Sequence, residues 1–229
     1  MFTQNKCIVL HCRNNALSTF DEMGNLTEKE SYCLDHIPNP GKLKEDIYKY
    51  IESHDTIVGL NASGLVFENL DLSNKKFFGC NFSHCTFTNV HSQNIRIKMC
   101  IFDFSLFNNC NLIQSNIIFT SFSGSTFTHT LFTESNLIQN GFNGIKAFQS
   151  CFDGSDLYNS RFIQAMLVDT SFQDCNIKKV LFYDAKRQNV SFKYANTREA
   201  VFSQKGSALA LGEDPDQDLN NSTTDGVVL

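Results

Sequence analysis

The chain has 229 residues, of which 41% are hydrophobic and 19% charged, with a net charge of −5, 22 Phe, nine Cys and no Trp. That is room for one elongated domain with small additions. No apolar run approaches the roughly 18 residues of a membrane helix, and Met-Phe-Thr-Gln-Asn-Lys-Cys lacks the charged-then-apolar layout of a secretory leader. The expectation is therefore a cytoplasmic protein with no membrane span and reduced thiols instead of a disulfide framework.

Residues 1–40 hold Cys7-x4-Cys12 and, twenty residues later, Cys33-x2-His36. Two short-spaced pairs of soft ligands separated by a loop suit a closed tetrahedral zinc site, and a closed shell implies a structural ion. The run Tyr-Cys-Leu-Asp-His that ends the segment resembles small treble-clef zinc knuckles. Free thiols on a capping segment, or His11 in place of one ligand, are the alternatives.

Residues 41–64 read as a capping helix and its lead-in. Leu43, Ile47, Tyr50 and Ile51 fall on one stripe at helical spacing, with Lys and Glu elsewhere around the wheel. Asn39 suits the cap and Pro40 the first turn. Such a helix covers an otherwise open sheet edge.

From Leu65 to Gln204 a large apolar residue recurs at every fifth position. The 28 centres from Phe67 to Phe202 hold 16 Phe, five Leu and three Ile, with Ser92, Ala147, Arg187 and Thr197 as exceptions. Two residues before each centre the chain is usually small, as at Cys80, Cys85, Ser105, Ser125 and Ala165. A period of five matches neither a helix nor a strand. A quarter turn per unit closes a square coil of twenty residues with every centre facing the axis and a small residue beside it. Types also correlate at spacing 20: Phe82, Phe102, Phe122, Phe142, Phe162, Phe182 and Phe202 form one column, predicted to be the spine of the core. The Asn69-to-Asn189 and Asn116-to-Asn196 columns read as stacked amide ladders. Residues 205–229 read as an acidic, disordered tail, whose calcium-loop spacing from Asp214 to Asp225 is spoiled by Leu219 at the glycine position.

Ser-Asn-Leu at 135–137 and Ser-Asp-Leu at 155–157 resemble the pentapeptide repeat family, whose pattern is small residue, Asn or Asp, Leu or Phe, polar, variable. The resemblance spans Leu65 to Gln204. It implies an all-β solenoid: a right-handed, four-sided β-helix of about seven coils, here with a zinc-binding and helical N-terminal cap. The resemblance also implies an alternative role, since some members of that family bind DNA gyrase by mimicking duplex DNA and so protect or inhibit it. That mimicry needs an acidic rod, and residues 65–204 carry 12 Lys and Arg against 10 Asp and Glu.

No nucleophile motif, phosphate-binding loop or catalytic metal signature stands in the sequence, so the reading is a scaffold, not an enzyme. Its partner face is expected beside the aliphatic column. There Ile118, Phe119, Ile138 and Tyr158 should point outward, bracketed by Lys75, Lys76, Arg96 and Lys98 toward one end and Lys178, Lys179 and Arg198 toward the other. The expected partner is a protein, or a second copy in a homodimer. Scattered cations and overall acidity speak against nucleic acid. The alternative is that this face is merely the side of a rod.

Overall fold

A computed structural model describes residues 5–27, 29–203 and 206–207. After a short antiparallel pair, β1 (Thr19–Phe20) and β2 (Leu26–Thr27), and helix α1 (Pro40–Ser53), the chain winds into a parallel solenoid of about seven coils. Each residue pairs with the one twenty positions on. One side carries seven stacked strands, from Val66–Glu68 to Lys186–Gln188. Another starts at β3 (Thr56–Val58) and passes through Lys76–Phe78 and Arg96–Lys98 to Asn116–Ile118, then continues as single bridges Asn116↔Asn136↔Asp156↔Asn176↔Asn196. The two remaining sides are bridge ladders through Asn81↔Ile101↔Ser121 and His91↔Asn111↔Leu131.

The first coil starts earlier than the expected Leu65. Thr56–Val58 already pairs in register with Lys76–Phe78, and Asn61 bridges Asn81. The expected lead-in is thus coil, with fully buried Ile57 and Ala62 at centre positions. Ala62 hid it, being small where the pattern calls for bulk.

The corners have a backbone reason. The residue two after each centre lies in the left-handed region, as at Asn69 (φ 52°), Asn89 (φ 53°), Asn109 (φ 52°), His129 (φ 50°) and Asn189 (φ 52°). Asn and Gly tolerate that region best, which accounts for the Asn-rich column more directly than amide stacking does. Stacking occurs at part of it: Asn89 Nδ2 donates to Asn69 Oδ1 at 3.1 Å and Asn189 Nδ2 to Asp169 Oδ1 at 2.9 Å.

The residue two before each centre is more than small. Ser125 Oγ accepts from Ser105 N at 3.0 Å and donates to Phe102 O at 2.6 Å, and Ser105 Oγ does the same between Cys85 N and Phe82 O. Ser135, Ser155 and Ser160 repeat it. Asn140 reproduces it with its amide, Oδ1 accepting from Thr120 N and Nδ2 donating to Ile117 O. The inward N–H of Ser105 also reaches Phe102 O within its own turn, whereas those of Ser115, Ser135 and Asn140 donate to the hydroxyl of the next coil. Leaving such an N–H without a partner costs about 1–3 kcal/mol, so at Ser135, Ser155 and Ser160 a hydroxyl suits the site better than the equally small Ala.

The Phe82-to-Phe202 column is a continuous stack, with ring centroids 4.8–5.2 Å apart from coil to coil. All but Phe202 are buried. A second Phe ladder changes side halfway. It runs Phe67, Phe87, Phe107, Phe127 in the early coils, then Phe132, Phe152, Phe172, Phe192 on the next side, one quarter turn on and opposite the spine, while the vacated side holds Ala147 and Leu167. Both halves meet the spine edge-on, for example Phe122 with Phe127 at 61° and Phe142 with Phe152 at 84°. The swap keeps interior volume nearly constant, as close packing demands. It fails once: Ser92 at a centre leaves an apolar void of about 30 Å³ lined by Leu72, Phe87, Phe102, Phe107 and Leu112.

Both ends are covered. Asn39 Oδ1 accepts from Lys42 N to start α1, which buries Leu43, Ile47 and Ile51. Tyr48 stacks on Phe67 (centroids 5.5 Å, 13°), and its hydroxyl accepts from Glu68 N and donates to Val66 O. That phenol stands in for the missing coil. At the far end Val201–Ser203 pairs antiparallel with Gly206–Ser207, so the expected tail begins with an ordered pair, and residues 208–229 lie outside the described residues. Arg187, at an inward centre, sets its guanidinium 5.0 Å from the Phe202 ring.

Two stability predictions follow from the packing. Phe122→Ala should lower the unfolding free energy by about 3–5 kcal/mol, because a stacked interior cannot collapse onto the cavity. Ser92→Leu, by filling the void, should raise it by on the order of 1 kcal/mol. Denaturant unfolding measures both, and a destabilised Ser92→Leu would show that the corner has no room.

Candidate metal centre and contact face

The knuckle forms because backbone bonds hold its two halves side by side: Cys7 N to Asn14 O, Ile8 N to Ser31 O, and Leu17 N to Tyr32 O. A tight turn at Cys33, with His36 N and Ile37 N both donating to Cys33 O, swings the imidazole back over the thiols. The ligand atoms of Cys7, Cys12, Cys33 and His36 all lie within 4.8 Å of one another. Cys12 Sγ to Cys33 Sγ is 3.8 Å, and His36 Nδ1 is 3.5 Å from Cys7 Sγ and 3.3 Å from Cys33 Sγ. A tetrahedral ion with bonds of about 2.3 Å to sulfur and about 2.0–2.1 Å to nitrogen requires edges of about 3.8 Å and about 3.6 Å. The Cys12–Cys33 edge matches that shell, the two His36 edges come within about 0.3 Å of it, and His11, the alternative ligand, is not in the group.

The electrostatics favour a thiolate there. Burial works against ionisation of Cys7, but the backbone N–H groups of Cys33 and Val9, with the His36 and Cys33 side chains, outweigh it and bring the thiol down to about 6. Asn14 N–H acts downward on Cys12, yet burial and hydrogen bonds to Cys33 and Cys7 leave that thiol above its ordinary value. Inward Cys of the rod such as Cys85 and Cys175 are different: burial pushes both up to about 12, and inert buried thiols of this kind serve packing.

The knuckle sits on the first coil through Asn61. Asn61 Nδ2 donates to Ala16 O at 2.5 Å, its carbonyl accepts from Ser18 N, and its own N–H reaches Ser18 Oγ. Leu34 covers Gly64 so closely that a Cβ there would stand 2.8 Å from its Cδ2. The Cys3His group is therefore built into the N-terminal end of the rod.

The face beside the aliphatic column is as expected in position and different in charge. Ile118, Ile138 and Tyr158 are half-buried in one outward row, with exposed Phe119 on the adjoining corner. Phe78 and Val58 extend the row toward the N-terminal end, interrupted by half-buried Lys98. Lys75 does not belong to the face: its ammonium donates to Glu52 O and His54 O at the end of α1. Lys76 and Arg96 stack in register beside Asn116. At the other end Lys178, Lys179 and Arg198 converge on one carboxylate, Glu199, at 3.5–3.7 Å. Lys179 also lies 5.9 Å from the Tyr158 ring centre, and Tyr158 first, then Glu199, holds its ammonium above the ordinary lysine value. The sequence reading missed Glu199 as counter-ion and Tyr48 as end cap. Glu199 stands in the same twenty-residue column as Lys179, a signal the sequence offered, whereas Tyr48 lies on α1 outside the repeat.

The histidines of the rod do not converge: His84 stacks on Phe104 at 5.3 Å, and that ring in turn covers Gly124, where a Cβ would come within 2.6 Å of it.

With this geometry in place, comparison with known proteins is informative at one level. The family model described as pentapeptide repeats matches residues 100–139 in eight copies. No curated protein matches the chain in sequence. Among solved structures, the chain is similar to HetL, a pentapeptide repeat protein involved in heterocyst differentiation regulation from the cyanobacterium Nostoc sp. strain PCC 7120 (12% identity, 72% of this chain and 98% of that one, TM-score 0.36). It is also similar to full-length QnrB1, a plasmid-mediated fluoroquinolone resistance protein (16%, 74% and 97%, TM-score 0.31), and to Rfr23 from the cyanobacterium Cyanothece 51142 (12%, 70% and 99%, TM-score 0.27). Residues 100–139 thus carry pentapeptide repeats, and the same period and register continue along the described solenoid.

Proposed function

We propose that this chain is a non-catalytic scaffold that binds an acidic protein partner through the flat side bearing Ile118, Ile138 and Tyr158. One observation carries the reading: an outward apolar row in the middle coils, flanked at both ends by cations that exceed their local counter-ions. A rod closed by an inner hydrogen-bond ladder has little freedom to lose on binding, so such a face binds at low entropic cost. A second copy fits poorly. A two-fold axis across the face opposes Lys76, Arg96 and Lys98 to Lys178, Lys179 and Arg198, and an axis along the rod opposes each cluster to itself; either brings like charges together. Duplex DNA mimicry toward gyrase also lacks support, since the rod carries 12 cations against 10 anions.

The Cys3His group belongs to the same reading as a structural zinc centre. Three thiols and one imidazole at tetrahedral spacing select zinc over harder ions, and its role is to fix the knuckle that caps the first coil. Purified protein should contain one equivalent of zinc by elemental analysis and lose it in Cys33→Ser. Full zinc content in that variant would remove Cys33 from the shell.

For the face, immobilised native chain should retain a protein whose capture weakens as salt rises and disappears with Ile138→Asp, while circular dichroism of the variant stays native. Undiminished capture by Ile138→Asp would reduce the face to the side of a rod.

A further inference from the structure

The cationic end of this face lies beside the point where the described chain runs out. Arg198 and Glu199 are followed within two residues by Val201, whose strand pairs with Gly206–Ser207. Beyond Ser207 come 22 residues, Ala208 to Leu229, with five acids (Glu213, Asp214, Asp216, Asp218 and Asp225), no Lys or Arg, and apolar residues on either side of the acidic run at Leu209, Leu211, Leu219, Val227 and Val228. Next to their origin stand Lys178, Lys179 and Arg198, which among the described residues share one carboxylate, Glu199, and next along the rod come Tyr158, Ile138 and Ile118.

We propose that residues 208–229 of this chain occupy the face in the absence of an acidic partner, their carboxylates on Lys178, Lys179 and Arg198 and their apolar residues on Tyr158, Ile138 and Ile118. This rests on the reading of that side as a contact surface, and it adds a regulator: the partner's acidic segment must displace the chain's own.

Charge and reach both support the occupant. From the coil of Arg198 to the coil of Lys98 is five steps of about 4.8 Å, or about 24 Å, whereas 22 residues span up to about 70 Å when extended. Glu213 is only six residues past Ser207 and so within about 20 Å of it, and Ser207 pairs with Val201, three residues from Arg198. Tethering makes the contact intramolecular, with an effective concentration of order millimolar, so weak acid-to-cation contacts are enough to hold the face.

The test uses the full chain in two forms, native and with Glu213→Gln, Asp214→Asn, Asp216→Asn and Asp218→Asn together, and a fluorescently labelled synthetic peptide of residues 208–229. Anisotropy should show the peptide binding the neutralised chain at least tenfold more tightly than the native chain, with that gain lost at high salt and in Lys178→Glu/Lys179→Glu on the neutralised background. Equal affinity for both forms, abolished by Ile138→Asp, overturns self-occupancy while leaving the face a binding surface. No binding to either form overturns the choice of occupant, and the capture experiment with Ile138→Asp then judges the face by itself.

Discussion

The structure depends on a side chain two residues before each centre reaching from one coil to the next. In a four-sided coil the chain turns a corner every five residues, and where the turn closes no backbone bond, as at Ser115, Ser135 and Asn140, the inward amide donates to a side chain of the next coil. Ser105, Ser125, Ser135, Ser155 and Ser160 supply the acceptor and pass a proton donor on to a carbonyl of the preceding coil. With that polar frame satisfied, the rest of the interior is free to be aromatic. The Phe spine then adds dispersion and hydrophobic burial in a stack with no gap from Phe82 to Phe182.

This division of labour bears on function. The interior is occupied by packing and by its own hydrogen bonds, so chemistry is left to the two ends and the outward rows. At the N-terminal end the sequence spends three thiols and an imidazole on a knuckle that Asn61 ties to the first coil. On one side it places Ile118, Ile138 and Tyr158 where a solvated rod has no need of them, with cations at either end. An inert core and a tied-down end give a stiff ruler, and the outward row is where such a ruler can touch something else.

Much of this was legible in the sequence because a period of five with no slips admits one geometry. The Phe column, the helix on Leu43, Ile47 and Ile51, and the mutual approach of Cys7, Cys12, Cys33 and His36 all follow from spacing alone. What spacing did not reveal has identifiable causes. The first coil was hidden by Ala62, too small to register as a centre. Sterics alone explain why position 135 is small, and only the orientation of Ser115 N explains why it is Ser. The left-handed corners at Phe104 and Phe119 break the Asn and Gly preference that would have marked them. Lys75 looked like part of a cationic bracket because a linear sequence does not show that α1 ends beside it.

Backbone amide hydrogen exchange tests the central dependence most directly. If the inward hydroxyls carry the coil-to-coil connection, the amides of Ser115, Ser135 and Asn140, which donate to Ser135, Ser155 and Ser160, exchange as slowly as those of the flanking strands, at the limit set by global unfolding. Fast exchange at those three amides in a rod whose strand amides stay protected would contradict the account, since the connection would then reside in the sheets and the Phe stack alone.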